Sequence, residues 1–171
     1  MSTKTTTGKN IESLMDMLAS KDGMIRQKAR ELLVVLGKPA VPYLNRALLN
    51  SGLEHVRWEA AKALDAIGDT RSIKSLVKAL EDKDSDVAWL SAEALSKFKK
   101  NAWLPLLQLL IKNGAESALL RQRSHHVFRY QKEDGFNDLI KNLLKGLESS
   151  TVPELTTVAS YEFLKRIKEK L

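Results

Sequence analysis

The 171-residue sequence predicts an all-α fold, a solenoid of about five helical hairpins stacked in chain order. Three observations predict it: a motif that returns every 31 residues, apolar spacing inside each copy that matches one face of a helix, and no alternating stretch that would compete as a strand.

The repeat is explicit. Ile25-Arg26-Gln27-Lys28-Ala29 corresponds to Val56-Arg57-Trp58-Glu59-Ala60 and to Val87-Ala88-Trp89-Leu90-Ser91, each step being 31 residues. Leu33, Leu64 and Leu95 continue the register, as do Leu36, Ile67 and Phe98, so apolar groups fall at i, i+4, i+8 and i+11. A fourth copy follows a two-residue insertion, with Leu120-Arg121-Gln122-Arg123-Ser124 leading to Val127 and Phe128. These segments are the second helices of the hairpins.

The first helices lie between them. Ile11, Leu14 and Leu18 mark one, Val41, Leu44 and Leu48 the next, then Ile73, Leu76 and Leu80, then Leu104, Leu107 and Leu110. A fifth pair, about 136–147 and 153–170, has the least regular pattern. Gly37, Gly68 and Gly114 are expected to end helices in left-handed geometry, and Pro42 and Pro105 to sit near helix starts, where a missing N–H costs little. Asp69 and Asn101 read as start signals, and Asp84-Ser85 as the turn inside the third hairpin. One hairpin cannot cover its own apolar face. Neighbours must, and the small residues Ala29, Ala60, Ser91 and Ser124 allow the close approach.

The stretches AVPYLNRALLNSGLEHVRWEAAKALDAIGD and RSIKSLVKALEDKDSDVAWLSAEAL resemble the HEAT-like repeat of the type first recognised in phycobilisome bilin lyases. The resemblance is strongest over about residues 38–98 and extends over 11–37 and 102–130. It implies a right-handed superhelix whose second helices line the concave side, and binding more often than catalysis. It also implies that the arginine after the valine joins an acidic residue of the inter-helix turn in a structural ladder. Arg26, Arg57 and Arg121 stand at that position, while Ala88 interrupts it.

The domain is expected to span 11–171, preceded by a polar, disordered tail over 1–10. That opening lacks the apolar core of a secretory signal, and the longest mostly apolar stretch, Ala102 to Ile111, falls short of the roughly 20 residues of a membrane-spanning helix. A cytoplasmic protein is the expectation. With no cysteine, thiolate catalysis and thiolate metal sites are excluded together. The net charge of +7 is uneven: residues 1–96 hold 14 basic and 13 acidic side chains, residues 97–171 hold 14 and 8. The excess in the second half favours anionic partners by long-range attraction.

On the second helix of the second repeat, Val56, Ala60, Leu64 and Ile67 form the core stripe, so Trp58, Ala61, Lys62 and Asp65 are expected to line the groove. The same register gives four rows across the copies. These are Gln27, Trp58, Trp89 and Gln122; Arg30, Ala61, Ala92 and His125; Glu31, Lys62, Glu93 and His126; and Val34, Asp65, Ser96 and Arg129. Trp58 and Trp89 make a rigid, amphipathic aromatic shelf that suits a peptide or stacked bases, or else each indole packs on the next hairpin. Trp103 is expected in the core. Lys62, His125, His126 and Arg129 are candidates to meet an acidic peptide or a phosphate backbone, or form a solvated charged face.

Catalytic signatures are scarce. His125 and His126 are adjacent, about 100° apart on a helix, which does not suit chelation of one ion. There is no phosphate loop, no Gly-x-Ser-x-Gly elbow and no cofactor motif. Iron-binding HEAT-like hydroxylases carry His-Glu pairs, and this chain has none. Trp89 and Glu93, one turn apart, resemble the aromatic and acidic pair of HEAT-like alkylpurine DNA glycosylases, which makes nucleic-acid binding the alternative. The sequence therefore predicts a non-catalytic scaffold without cofactor that binds a protein or peptide through Trp58, Trp89, Lys62, Glu93, Gln122, His125, His126 and Arg129.

Overall fold

The computed structural model describes residues 2–170, with side chains described from Gly8 to Lys170. Ten α-helices and two single 3-10 turns make up the described fold: α1 (Ser2–Met17), α2 (Gly23–Leu36), α3 (Val41–Asn50), α4 (Glu54–Ile67), α5 (Ile73–Ala79), α6 (Ser85–Lys97), α7 (Lys100–Asn113), α8 (Ala118–Phe128), α9 (Asn137–Glu148) and α10 (Glu154–Glu169). There is no strand among the described residues, and the helices pair in chain order, as a HEAT-like solenoid requires. Helix α1 begins at Ser2, inside the stretch where the sequence predicts a tail, and Ile11 is the first buried side chain among those described. Met1 lies outside the described residues.

The chain divides into two compact units, up to Ala94 and from Leu95. In the first, first helices pack on first helices (α1 on α3, α3 on α5) and second on second (α2 on α4). The repeat stripe is the core: Leu33 and Leu64 are fully buried, as are Leu18, Leu44, Leu48, Leu76 and Leu80. Ala29 and Ala60 have no exposed surface, so each marks a place where two helices touch. Ile25, which aligns with the buried Val56 and Val87, is 40% exposed.

Chain reversals follow local chemistry. Gly37 (φ 66°) and Gly68 (φ 64°) end α2 and α4 with positive φ, and each donates its N–H to the carbonyl four residues back, Leu33 and Leu64. Asp69 caps the following 3-10 turn through the N–H of Arg71 (2.9 Å), and Asp84 caps α6 through the N–H groups of Asp86 (3.1 Å) and Val87 (3.0 Å). Pro42 sits in the first turn of α3.

The second unit departs from the sequence reading at several points. Its last hairpin does not simply continue the stack: α10 packs on α7 and α9, while α9 packs on α8. Four rings explain the choice. Trp103 of α7 meets Phe163 of α10 edge-on at 5.0 Å between centroids, and Phe128 and Phe136 complete the cluster at 6.3 and 5.7 Å from Trp103. Trp103 takes the core position, so Leu104, expected inside, is 37% exposed.

Gly114 is right-handed (φ −64°), not left-handed, and its glycine is explained by space: a Cβ there would run into the Leu110 carbonyl oxygen and lie 2.9 Å from Thr156 Cγ2 on α10. Pro105 stands inside α7 and not at its start. Asn101 lies within α7, whose N-cap is Lys99 at φ 51°, the one positive-φ non-glycine among the described residues.

Candidate functional site

The arginines after the repeat valines have a structural job. Arg57 is 4% exposed; it grips Asp82 through Nε (2.8 Å) and Nη2 (2.9 Å) and donates Nη1 to the Ser51 carbonyl at 3.0 Å. Asp82 belongs to the turn of the next hairpin, so the pair ties two repeats. The hydrogen bond to Asp82 holds the Arg57 guanidinium above its usual pKa, against the opposing effect of burial. Arg26 donates to the carbonyls of Ser20 (2.9 Å) and Lys21 (3.0 Å), and Arg121 to those of Gly114 (2.8 Å) and Ala115 (3.0 Å). Each closes the turn of its own hairpin by binding carbonyls just beyond the end of the first helix. Ala88, at the interrupted position, is fully buried.

Register reasoning did not single out Glu59. It is 3% exposed, and its carboxylate is held by Arg30 at 2.6 Å and by Arg26 Nε at 3.6 Å. The available signal was an acid beside a repeat alanine, one hairpin away from two arginines of the same face. Arg30 is thereby committed to Glu59 and is not a groove residue.

The expected second row also fails at Ala61 and Ala92, which have no exposed surface. A groove-facing stripe on these helices is narrower than the sequence suggests, because alanines on both flanks of the core stripe are covered.

Trp58 and Trp89 keep their places. Trp89 is 46% exposed on α6, and Trp58 is half-buried on α4 with Lys62 Nζ 4.3 Å from its ring centroid, a cation–π contact one turn along the same helix. Glu93 is half-buried one turn beyond Trp89. Gln27 is exposed, with its amide donating to Glu31 at 2.9 Å. Beside Trp58 lies a hollow of about 270 Å³ lined by Arg26, Glu54, His55, Trp58, Asp84 and Asp86. Three carboxylates against one guanidinium give it a negative rim. The acids stand at the N-terminal ends of α4 and α6, where their charge also complements the helix dipoles. His55 is the second residue of α4.

The four candidates of the second unit are dispersed. Gln122 is exposed, and Arg129 is exposed with its guanidinium 4.7 Å from the Tyr130 ring centroid. His125 Nε2 is 2.9 Å from Glu148 Oε1 on α9. His126 is 7% exposed, so it does not face solvent. The packing of α9 against α8 takes up part of the face that the register assigned to a groove, through Glu148 at His125, and leaves Gln122 and Arg129 exposed. Among the described residues there is no cluster of three metal-ligating side chains, and no single helix is long and apolar enough to cross a membrane.

Comparison with known proteins gives one family. A family model described as HEAT repeats matches residues 11–96 and 47–128, which together cover well over half of the chain. No curated protein matches the chain.

Proposed function

We propose, from the premise that the chain belongs to the HEAT-repeat family, that it is a non-catalytic cytoplasmic scaffold which holds a protein or peptide partner on its second helices. The observation that carries this reading is the pair Trp58 and Trp89, set at equivalent positions of successive repeats and left at least partly open, Trp89 at 46%, while Trp103 is buried at 2%. An indole offers a large, rigid contact area at low entropic cost, and partly desolvated aromatics are the usual anchors of protein interfaces. The residues around Trp58 bear on the partner's chemistry: Glu54, Asp84 and Asp86 repel a phosphate backbone and favour a segment that carries basic side chains.

Nucleic-acid binding is the second reading, and the 14 basic against 8 acidic residues of 95–171 favour it. The two separate cleanly. Replacing both Trp58 and Trp89 by alanine is expected to abolish partner binding, measured by fluorescence anisotropy with peptides captured by the wild-type chain, without change in the helical circular dichroism. Unchanged affinity would sink the shelf. Titration with short duplex and single-stranded DNA at low and near-physiological salt tests the alternative: phosphate contacts release counterions, so DNA affinity must fall steeply with salt, whereas a peptide held on indoles must not.

A further inference from the structure

The α9–α10 hairpin presents two different outward faces. On α9 the exposed side chains are all polar: Asn137, Asp138, Lys141, Asn142, Lys145 and Glu148. On α10 they include Leu155 (47%), Val158 (54%) and Tyr161 (62%), with Val152 (46%) just before the helix. Spaced three residues apart, Leu155, Val158 and Tyr161 form one ridge along α10, outside the buried stripe of Thr156, Ala159, Ser160 and Phe163. Large apolar groups gathered at the surface and rimmed by charge mark an interaction site.

The charges on this face say what fits it. Glu154 lies at its N-terminal end, Lys165 and Lys168 at its C-terminal end; all three are exposed, and none has an ion-pair partner among the described residues. Glu154 and Lys165 are eleven residues apart, about three helical turns, and so stand on one side of α10. A face that is acidic at one end and basic at the other is complementary to itself turned end for end, and two helices paired in that way also oppose their dipoles. Beside Tyr161 a shallow hollow of about 210 Å³, lined by Tyr161, Leu164, Lys165, Lys168 and Glu169, leaves room for a side chain from outside.

We propose that α10 is a self-association surface, which takes α10 of a second copy of this chain, antiparallel about a two-fold axis. One register satisfies both the apolar and the charged groups. It sets Val158 of each copy on Tyr161 of the other, at the edge of the hollow, and Glu154 of each across from Lys165 of the other. Glu162 then lies across from Thr157, so no acid faces an acid. The contact is isologous, and every pair occurs twice. One helix face is small beside a standard interface of roughly 1,600 Å², so the dimer is weak and its population rises with concentration. Neither Trp58 nor Trp89 takes part, so the inference stands or falls separately from the scaffold reading.

Sedimentation equilibrium of the full chain tests it. The weight-average mass is expected to rise from that of one chain, 19.2 kDa, towards twice that value between about 1 μM and about 1 mM. Val158→Glu should hold the mass at one chain throughout, while Val35→Glu, at an 83% exposed position of α2, should leave the rise intact. Both positions are at the surface, so neither variant disturbs the core. E154K alone and K165E alone each bring like charges together twice and should weaken association about tenfold. Mixed in equal amounts the two should restore it, because every contact is again one acid with one lysine. A single-chain mass at all concentrations, association that survives V158E, or E154K and K165E chains that fail to rescue one another would each overturn the proposal.

Discussion

Up to Ala94, hairpins are tied by arginines that cross from one repeat to the next, Arg57 to Asp82 and Arg30 to Glu59, around a core of leucines and alanines. From Leu95 onward, Trp103, Phe128, Phe136 and Phe163 stack around one another, and the last hairpin turns α10 onto α7. The first unit holds 14 basic and 13 acidic residues, the second 14 and 8. The difference shows two ways to hold neighbouring hairpins together. Where the 31-residue register holds, directional polar ties between repeats set the spacing. Where the register is lost, large aromatic groups with no register to keep hold the hairpins.

Substitutions that exploit this contrast should differ in size and in place. The largest effect is expected for Trp103→Ala, about 4 kcal/mol from lost burial and the cavity left among three phenylalanines, read from the denaturant midpoint. Hydrogen exchange should then rise first in α7 and α10 and leave α2 to α4 protected. Protection lost evenly along the chain would mean that the two units do not unfold separately.

Arg57→Ala is expected to cost about 3 kcal/mol, because it leaves the Asp82 carboxylate, 10% exposed, without its partner. The double variant with Asp82→Ala should recover part of that loss. A double variant no more stable than R57A alone would show that the pair is not the tie between repeats. Ala60→Leu should cost about 2 kcal/mol through overpacking, since Ala60 has no exposed surface. A stable leucine variant would mean that the α2–α4 contact is looser than the burial indicates.

The smallest effect concerns acid. Arg71, bonded to Asp69 through side chain and backbone N–H, lowers the Asp69 carboxyl from 3.8 to about 2. A folded pKa below the unfolded one stabilises the fold above the unfolded value, and that contribution disappears as pH falls from 3.8 to about 2. The melting temperature of Asp69→Asn should therefore lie below that of the wild type at neutral pH and converge with it over this window. A constant offset down to the lowest pH would show that the Arg71 pair plays no part.

Most of the first unit was legible in advance because a strict 31-residue step aligns Leu33 with Leu64 and Ala29 with Ala60, and both pairs are buried as expected. Of the turn arginines, Arg57 meets a turn acid, Asp82, as the resemblance implies, whereas Arg26 and Arg121 donate to turn carbonyls instead. In the candidate surface, Trp58 and Trp89 are partly exposed, as the register implies. Its second row was misread because Ala61 and Ala92 are small enough to vanish under neighbouring helices, and periodicity alone cannot tell a covered alanine from an exposed one.

The sequence by itself determined the helical class, the hairpin unit and the places where the chain turns, because these depend on side-chain spacing and local backbone chemistry within one repeat. Only the tertiary structure decided that His126 is buried, that His125 meets Glu148, and that Arg30 and Arg26 converge on Glu59. Those facts depend on which helix lies next to which, and the last hairpin chose its neighbours by the volume and shape of four aromatic rings, a property that no periodic pattern carries.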